Sequence, residues 1–244
     1  MNRIRLFFLP LLALLFCSCH PGSRYIYDEP ISQYINDESV LKWEDDIRVF
    51  DSLNVVEPSG RETILVTGSS SVRLWDSIQS DLAPYQVMQR GYGGATMSDF
   101  NYYAERIIKP HDFKAILVFV ANDITGGEYD RTPVELFLLY KTLVKKTRKR
   151  NPDTPLFWIE ITPTPSRWSV WPEVAEANRM IREYCSKHPD LHFIPTSESF
   201  FDNQGQPDSL FFRQDMLHLN RTGYVLWSDL IVKALKVAGI EPSS

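Results

Sequence analysis

The sequence predicts a three-layer α/β/α domain built around a central parallel sheet of about five strands. Three observations lead there. Short β-branched-rich runs are apolar on both faces, as strands buried on both sides must be. Each run is separated from the next by a longer amphipathic stretch of helical period, the alternation that a parallel sheet between helical layers requires. The chain has 244 residues, 43% hydrophobic and 23% charged, the size and composition of one globular domain with an ordinary core.

The first residues stand apart from that pattern. Arg3 and Arg5 precede an apolar run from Leu6 to Phe16, followed by Cys17, Ser18 and Cys19. The run is too short to span a bilayer, and its basic start and small-residue end fit an export signal. The end of this segment is similar to a bacterial lipoprotein box. Residues 1–19 are therefore expected to be a signal peptide with Cys19 as the lipidated residue, which places the mature protein outside the cytoplasm on a membrane anchor, or secreted if the signal is of the ordinary type. Residues 20–39 are polar and turn-rich and read as a tether. The domain itself runs from 40 to 244, beginning with an incomplete helical stripe (Leu41, Ile47, Val49, Phe50, Leu53) flanked by Trp43, a helix to be packed on the rest. The remaining thiol, Cys185, sits inside a helical pattern as core filler.

Within the domain the predicted strands are Thr63–Thr67, Tyr85–Gln89, Ala115–Val120, Leu156–Ile161 and His192–Pro195. The predicted helices are Val72–Ser80, Ser98–Ile108, Pro133–Arg150, Pro172–Lys187 and Thr222–Val237. The net charge of −5 and pI near 5.6 give no basic footprint, so no nucleic-acid partner is expected. The one run of like charge, Lys145 to Arg150, closes a helix, where cations complement the macrodipole and face solvent.

In a parallel sheet ligands bind beyond the carboxyl ends of the strands, and four such ends carry chemistry-bearing residues. Ser70 lies where the first strand turns into a helix (Gly68-Ser69-Ser70-Ser71). There a hydroxyl can act beside free backbone N–H groups, cap the helix, or help cradle a phosphate as in a flavin site. Gly91, Gly93 and Gly94 after the second strand allow either close backbone approach to a ligand or a turn at positive φ. Asn122 after the third can donate to developing negative charge or form an Asx turn. Asp215 and His218, just ahead of the last helix, are spaced so that the carboxylate can accept from Nδ1 and leave Nε2 as a base; a surface histidine beside a capping aspartate reads equally well there. No further His and carboxylate cluster at ligand spacing, so no metal site is expected.

Together, in this order, Gly-Ser-Ser, Gly-Gly-Ala-Thr, Ala-Asn-Asp and Asp-x-x-His resemble the four blocks of the SGNH (GDSL-like) hydrolases, from about Thr63 to Val237. GSSSVRLW from Gly68, TPTPSRW from Thr162 and DMLHLN from Asp215 are similar to the branch with GSSS in place of GDS. The resemblance implies a flavodoxin-like SGNH hydrolase fold and a serine esterase acting through an acyl-enzyme, with no cofactor. It makes Ser70 the nucleophile, His218 the base and Asp215 its orienter, with an oxyanion hole from the N–H groups of Ser70 and Gly94 and the amide of Asn122. Two residues depart from the family pattern: Ser69 replaces an Asp and is expected to cap the helix instead, and Val120 replaces a Gly and is expected to narrow the pocket or tilt the strand end, affecting the reach of Asn122.

Export and the segment holding Arg167, Trp168 and Trp171 suggest an acylated or acetylated carbohydrate, or a small ester, as substrate, because exposed aromatics stack on sugar rings; the same tryptophans can instead pack on the last helix. Two other classes compete. One is a surface-tethered carbohydrate-binding module with the same fold and no turnover. The other is a flavodoxin-like flavin protein, which leaves Asp215 and His218 without a role.

Overall fold

The computed structural model describes residues 38–57, 60–108 and 110–242. The expected signal peptide, Cys19 and the tether up to residue 37 lie outside the described residues. Five strands, β1 (Thr63–Gly68), β2 (Gln86–Gly91), β3 (Ala115–Phe119), β4 (Leu156–Ile159) and β5 (Leu191–Ile194), form one sheet in the order β2-β1-β3-β4-β5. All four pairings are parallel. The chain moves from β1 to one side for β2 and to the other for β3, so the sheet's switch point lies between β1 and β3. Their carboxyl ends are where a ligand crevice opens in this topology.

The helices are α1 (Glu44–Val56), α2 (Ser70–Arg73), α3 (Ile78–Asp81), α4 (Met97–Ile108), α5 (Pro133–Arg150), α6 (Trp171–Cys185) and α7 (Arg221–Val237). The period-two alternation of the strands sorts their side chains between two cores. Leu65, Ile116, Val118, Leu156 and Trp158 meet α1, α4, α5 and α6. Ile64, Val66, Leu117, Phe119, Phe157 and Ile159 meet α2, α3 and α7. Burial on both faces explains why these strands read as continuous apolar runs.

Local signals set several helix ends. Thr132 and Glu135 form a reciprocal capping box with Pro133 in the first turn of α5, satisfying N–H groups that a helix start otherwise leaves open. Asn220 caps α7 by accepting from Gly223 N at 3.0 Å. At the other end of α5, Arg148 donates to Thr154 O at 2.6 Å and pairs with Asp190, and Lys146 donates to Asn101 O at 2.6 Å. Part of the basic run therefore ties down neighbouring loops and a neighbouring helix instead of facing solvent alone. Cys185 is buried and contacts the Tyr140 hydroxyl at 3.2 Å.

Most boundaries fall within two residues of the sequence prediction, and three of the differences have a clear tertiary reason. The helix expected over Val72–Ser80 breaks into α2 and α3. Between them Trp75 drops into the core against Tyr224 and Trp227, and its indole N–H donates to Asp81 Oδ2 at 2.7 Å. β2 continues to Gly91 because Arg90, a residue that reads as loop, is buried in the strand and bonded to Asn54 and Glu57 around α1. β4 stops at Ile159, since the buried Glu160 turns its carboxylate to Thr196 N and Ser197 N, 2.7 and 2.8 Å away.

Candidate active site

The end of β1 is built by steric exclusion. Gly68 has φ of +135°, and a Cβ there would lie 1.8 Å from the Phe119 carbonyl oxygen. Only glycine lets the chain turn this close beside β3. Ser69 N then donates to Phe119 O at 2.8 Å, and Ser70 opens α2 half-buried. Ser69 does not cap α2 through its side chain, contrary to expectation; it is buried, with no side-chain hydrogen bond to the helix start. Ser69, Ser70 and Ser71 all line the cleft.

Across the cleft His218 places Nε2 3.0 Å from Ser70 Oγ and Nδ1 2.7 Å from Asp215 Oδ2. Asp215 is fixed in turn: its Oδ1 accepts from the N–H groups of Leu217 at 3.0 Å and His218 at 2.9 Å. Partial burial pushes the Asp215 carboxyl up, but the hydrogen bonds from the His218 ring and these backbone groups outweigh it and hold it at about 2. The carboxylate is thus ionised at neutral pH, and it accepts from Nδ1–H, which leaves Nε2 as the free base. The turn is closed by Met216 at φ of 54°, a left-handed conformation a methionine seldom adopts. The flanking Arg213 N donates to His218 O at 2.7 Å.

At the end of β3 the orientation of the Asn122 amide is decided by its partners. Arg167 can only donate, and its Nη2 lies 2.9 Å from Asn122 Oδ1; the Ala95 carbonyl can only accept, and lies 2.9 Å from Nδ2. One amide hydrogen is left for the cleft. Arg167 also donates to Ala121 O at 2.7 Å, so it grips the strand end at two points. Val120 is not among the residues lining the cleft; it is fully buried in the core that also holds Val118 and Ile124. Gly94 lies one residue before Ala95 at φ of +71°, in the turn that Asn122 binds, though it is not among the residues lining the cleft.

Beneath that turn lie two carboxylates the sequence reading did not single out. Asp123 accepts from Met97 N through both oxygens, at 3.0 and 3.1 Å, and so caps α4 from a distant strand end. Asp99 accepts from the Tyr92 hydroxyl at 2.6 Å and Thr96 N at 2.8 Å. Full burial pushes Asp123 up to about 7; the N–H of Met97 opposes this and the charge of Asp99 adds to it. No local signal marks Asp123 as a cap, because the helix it caps starts 26 residues earlier in the chain.

Ser70, Asn122, His218, Arg167 and Trp171 line one cleft, which holds a cavity of about 40 Å³. Trp168 does not line it. It stacks on Trp171 with centroids 6.1 Å apart, and both rings meet Phe201 edge-on, so their packing partner is Phe201 and not the last helix. Among the described residues no group of three or more His, Cys, Asp or Glu is placed to hold a metal ion.

The sequence matches the profile of the GDSL-like Lipase/Acylhydrolase family over residues 61–226. None of the curated proteins matches it. Among solved structures, a protein of Bacteroides fragilis provisionally described as an acylhydrolase superposes with a TM-score of 0.70 at 16% identity, over 80% of this chain and 97% of that one. A GDSL-like lipase of Bacteroides thetaiotaomicron gives 0.65 at 14% identity, over 79% and 98%. A carbohydrate esterase family 3 protein of Talaromyces cellulolyticus gives 0.55 at 14% identity, over 72% and 98%.

Proposed function

We propose, for a chain that belongs to the GDSL-like lipase/acylhydrolase family and is an ester hydrolase of the SGNH type, that it is an exported serine esterase in which Ser70 attacks the ester carbonyl. The observation that carries this reading is the continuous chain of hydrogen bonds from Asp215 through His218 to Ser70, 2.7 and 3.0 Å long, at the mouth of the cleft.

In this mechanism His218 Nε2 takes the Ser70 proton as Oγ bonds to the carbonyl carbon. Asp215 holds the ring and stabilises the imidazolium. The carbonyl oxygen, now an oxyanion, is met by the N–H groups of Ser70 and Gly94 and the remaining Asn122 amide hydrogen. His218 then protonates the departing alcohol oxygen, leaving an acyl-Ser70. Water, deprotonated by the same Nε2, releases the acid and restores Ser70.

The cleft holds a small cavity of about 40 Å³, and on that ground we favour short-chain esters. With Trp171 at its edge, an acetylated carbohydrate is the substrate we favour, and a carbohydrate esterase shares the fold. Ser70→Ala should abolish hydrolysis of aryl acetates and labelling by a fluorophosphonate while circular dichroism stays unchanged; full activity in folded Ser70→Ala would refute the mechanism.

Export is part of the proposal and rests on Arg3, Arg5, the apolar run from Leu6 to Phe16, and Cys19. Among the described residues no helix is long and apolar enough to cross a membrane; the attachment proposed is a lipid on Cys19. Cys19→Ala should move the protein out of the membrane fraction. Unchanged fractionation, or a mature N-terminus without lipid by mass spectrometry, would leave a secretory signal only.

A further inference from the structure

Among the described residues most arginines pair with carboxylates; Arg48, Arg90, Arg106, Arg148, Arg150, Arg179, Arg182 and Arg221 all form ion pairs. The arginines around the nucleophile are different. Arg167 lines the cleft, half-buried, and its described partners are the Ala121 carbonyl and the Asn122 side-chain oxygen, both neutral. Arg73, three residues after Ser70 and exposed, lies so close to the turn at Gly93 that a Cβ there would sit 3.2 Å from its Nη2. Arg213, two residues before Asp215, bonds only backbone carbonyls, Leu219 O at 3.0 Å and Leu74 O at 3.5 Å. Among the described residues none of these three forms an ion pair with a carboxylate.

A guanidinium held partly out of water without a counter-ion costs free energy, and a bound anion offsets that cost. The acidic group whose charge Arg167 feels is Asp130. Asp130 is already occupied by its own loop, accepting from Thr125 N and Gly126 N at 2.6 Å each. Two carbonyl-type acceptors leave Arg167 with unused N–H donors, and the fork geometry of guanidinium suits a carboxylate.

We infer that this cleft selects esters that carry an anionic group, a carboxylate on the alcohol or the acyl part, which docks on Arg167. The inference rests on the esterase reading for its chemistry but not for its binding step. The carboxylate takes no part in bond making; it orients the ester so that the carbonyl carbon faces Ser70 Oγ.

The test compares pairs of probes that differ only in charge. 4-Acetoxybenzoate against 4-acetoxybenzamide places the carboxylate on the alcohol part. 4-Nitrophenyl hemisuccinate against 4-nitrophenyl butyrate places it on the acyl part. A charge-assisted hydrogen bond at a partly desolvated site corresponds to at least about tenfold, so kcat/KM should favour the acid by that factor in one of the two pairs. The preference should shrink as salt rises and should fall towards one in Arg167→Gln. A ratio near one in both pairs in the wild type overturns the inference. So does an equal loss on acid and amide in Arg167→Gln with the ratio kept, because Arg167 would then only orient Asn122. Binding is read separately by calorimetry on Ser70→Ala with 4-acetoxybenzoate and its amide. Selective, salt-sensitive binding of the acid alongside a wild type that hydrolyses neither probe would uphold the anion site and refute the esterase reading; equal binding of acid and amide would overturn the anion site whatever the enzyme hydrolyses.

Discussion

His218 stands 148 residues from Ser70 in the chain and brings Nε2 to 3.0 Å from its Oγ. The contact is made by two loops at the same end of the sheet, one leaving β1 and one entering α7. Because Nδ1 is engaged by Asp215 at 2.7 Å, the ring has a single orientation in which its base faces the hydroxyl.

His218→Gln should therefore reduce turnover of an aryl acetate to near background. Asp215→Asn keeps the size but offers a donor where an acceptor is needed, and in serine proteases with this arrangement that exchange costs roughly four orders of magnitude. A large fall in kcat with little change in KM is expected for both variants, because the interactions act mainly in the transition state. Steady-state kinetics with circular dichroism checks this; near-wild-type kcat in folded His218→Gln would rule out the mechanism.

Asn122 is held on three sides, by Arg167, by Ala95 and by the strand end that carries it. Removing an oxyanion donor of this kind costs about 10² to 10³ in kcat. Asn122→Ala should show that loss, with fluorophosphonate labelling of Ser70 slowed but still present, since nucleophile and base are untouched. Labelling and kcat both at wild-type levels would remove Asn122 from the oxyanion hole.

Asp123 carries a pH dependence of its own. Burial holds its folded-state value near 7, above the unfolded value of about 4, so the folded protein retains the proton more tightly. The corresponding stability is fully present below about pH 4 and is lost as pH rises towards 7. Asp123→Asn keeps an acceptor for Met97 N and cannot ionise. Melting temperatures from pH 4 to 8 should decline less in the variant than in the wild type; parallel curves would show that Asp123 does not titrate in this range.

Gly68→Ala tests the turn that presents Ser70. A Cβ would need the space of the Phe119 carbonyl at a backbone angle that L-residues avoid. Strained backbone alone costs about 1–3 kcal/mol, and here a backbone clash is added, so a loss of about 3 kcal/mol or more is expected in urea unfolding, with activity falling alongside. A wild-type midpoint would mean that β1 and β3 separate more readily at this end than their packing suggests.

The fold was legible because its determinants are local or periodic. Apolar runs marked all five strands, and the predicted Pro133–Arg150 agrees with α5 at both ends; at its start Thr132, Pro133 and Glu135 form a cap readable in sequence. Three boundaries moved where one side chain found a distant partner: Trp75 against α7, Arg90 around α1, and Glu160 at the start of the loop after β5. Propensity has no term for such partners.

The sequence by itself determined the α/β/α architecture, the order of the strand-end blocks and the identity of Ser70, Asn122, Asp215 and His218 as residues to watch. Tertiary structure alone decided what they do to one another. At the sequence level Asp215 and His218 read as well for a surface turn as for a relay, and Asn122 as well for an Asx turn as for a donor. Closing the sheet at the β1/β3 switch point brought Ser70 against His218, set Arg167 against Asn122 and placed the buried Asp123 at the start of α4. The physical reason is range: hydrophobic period and capping act over a few residues and are written along the chain, whereas a 3 Å hydrogen bond across the sheet's end exists only once the core has fixed both backbones.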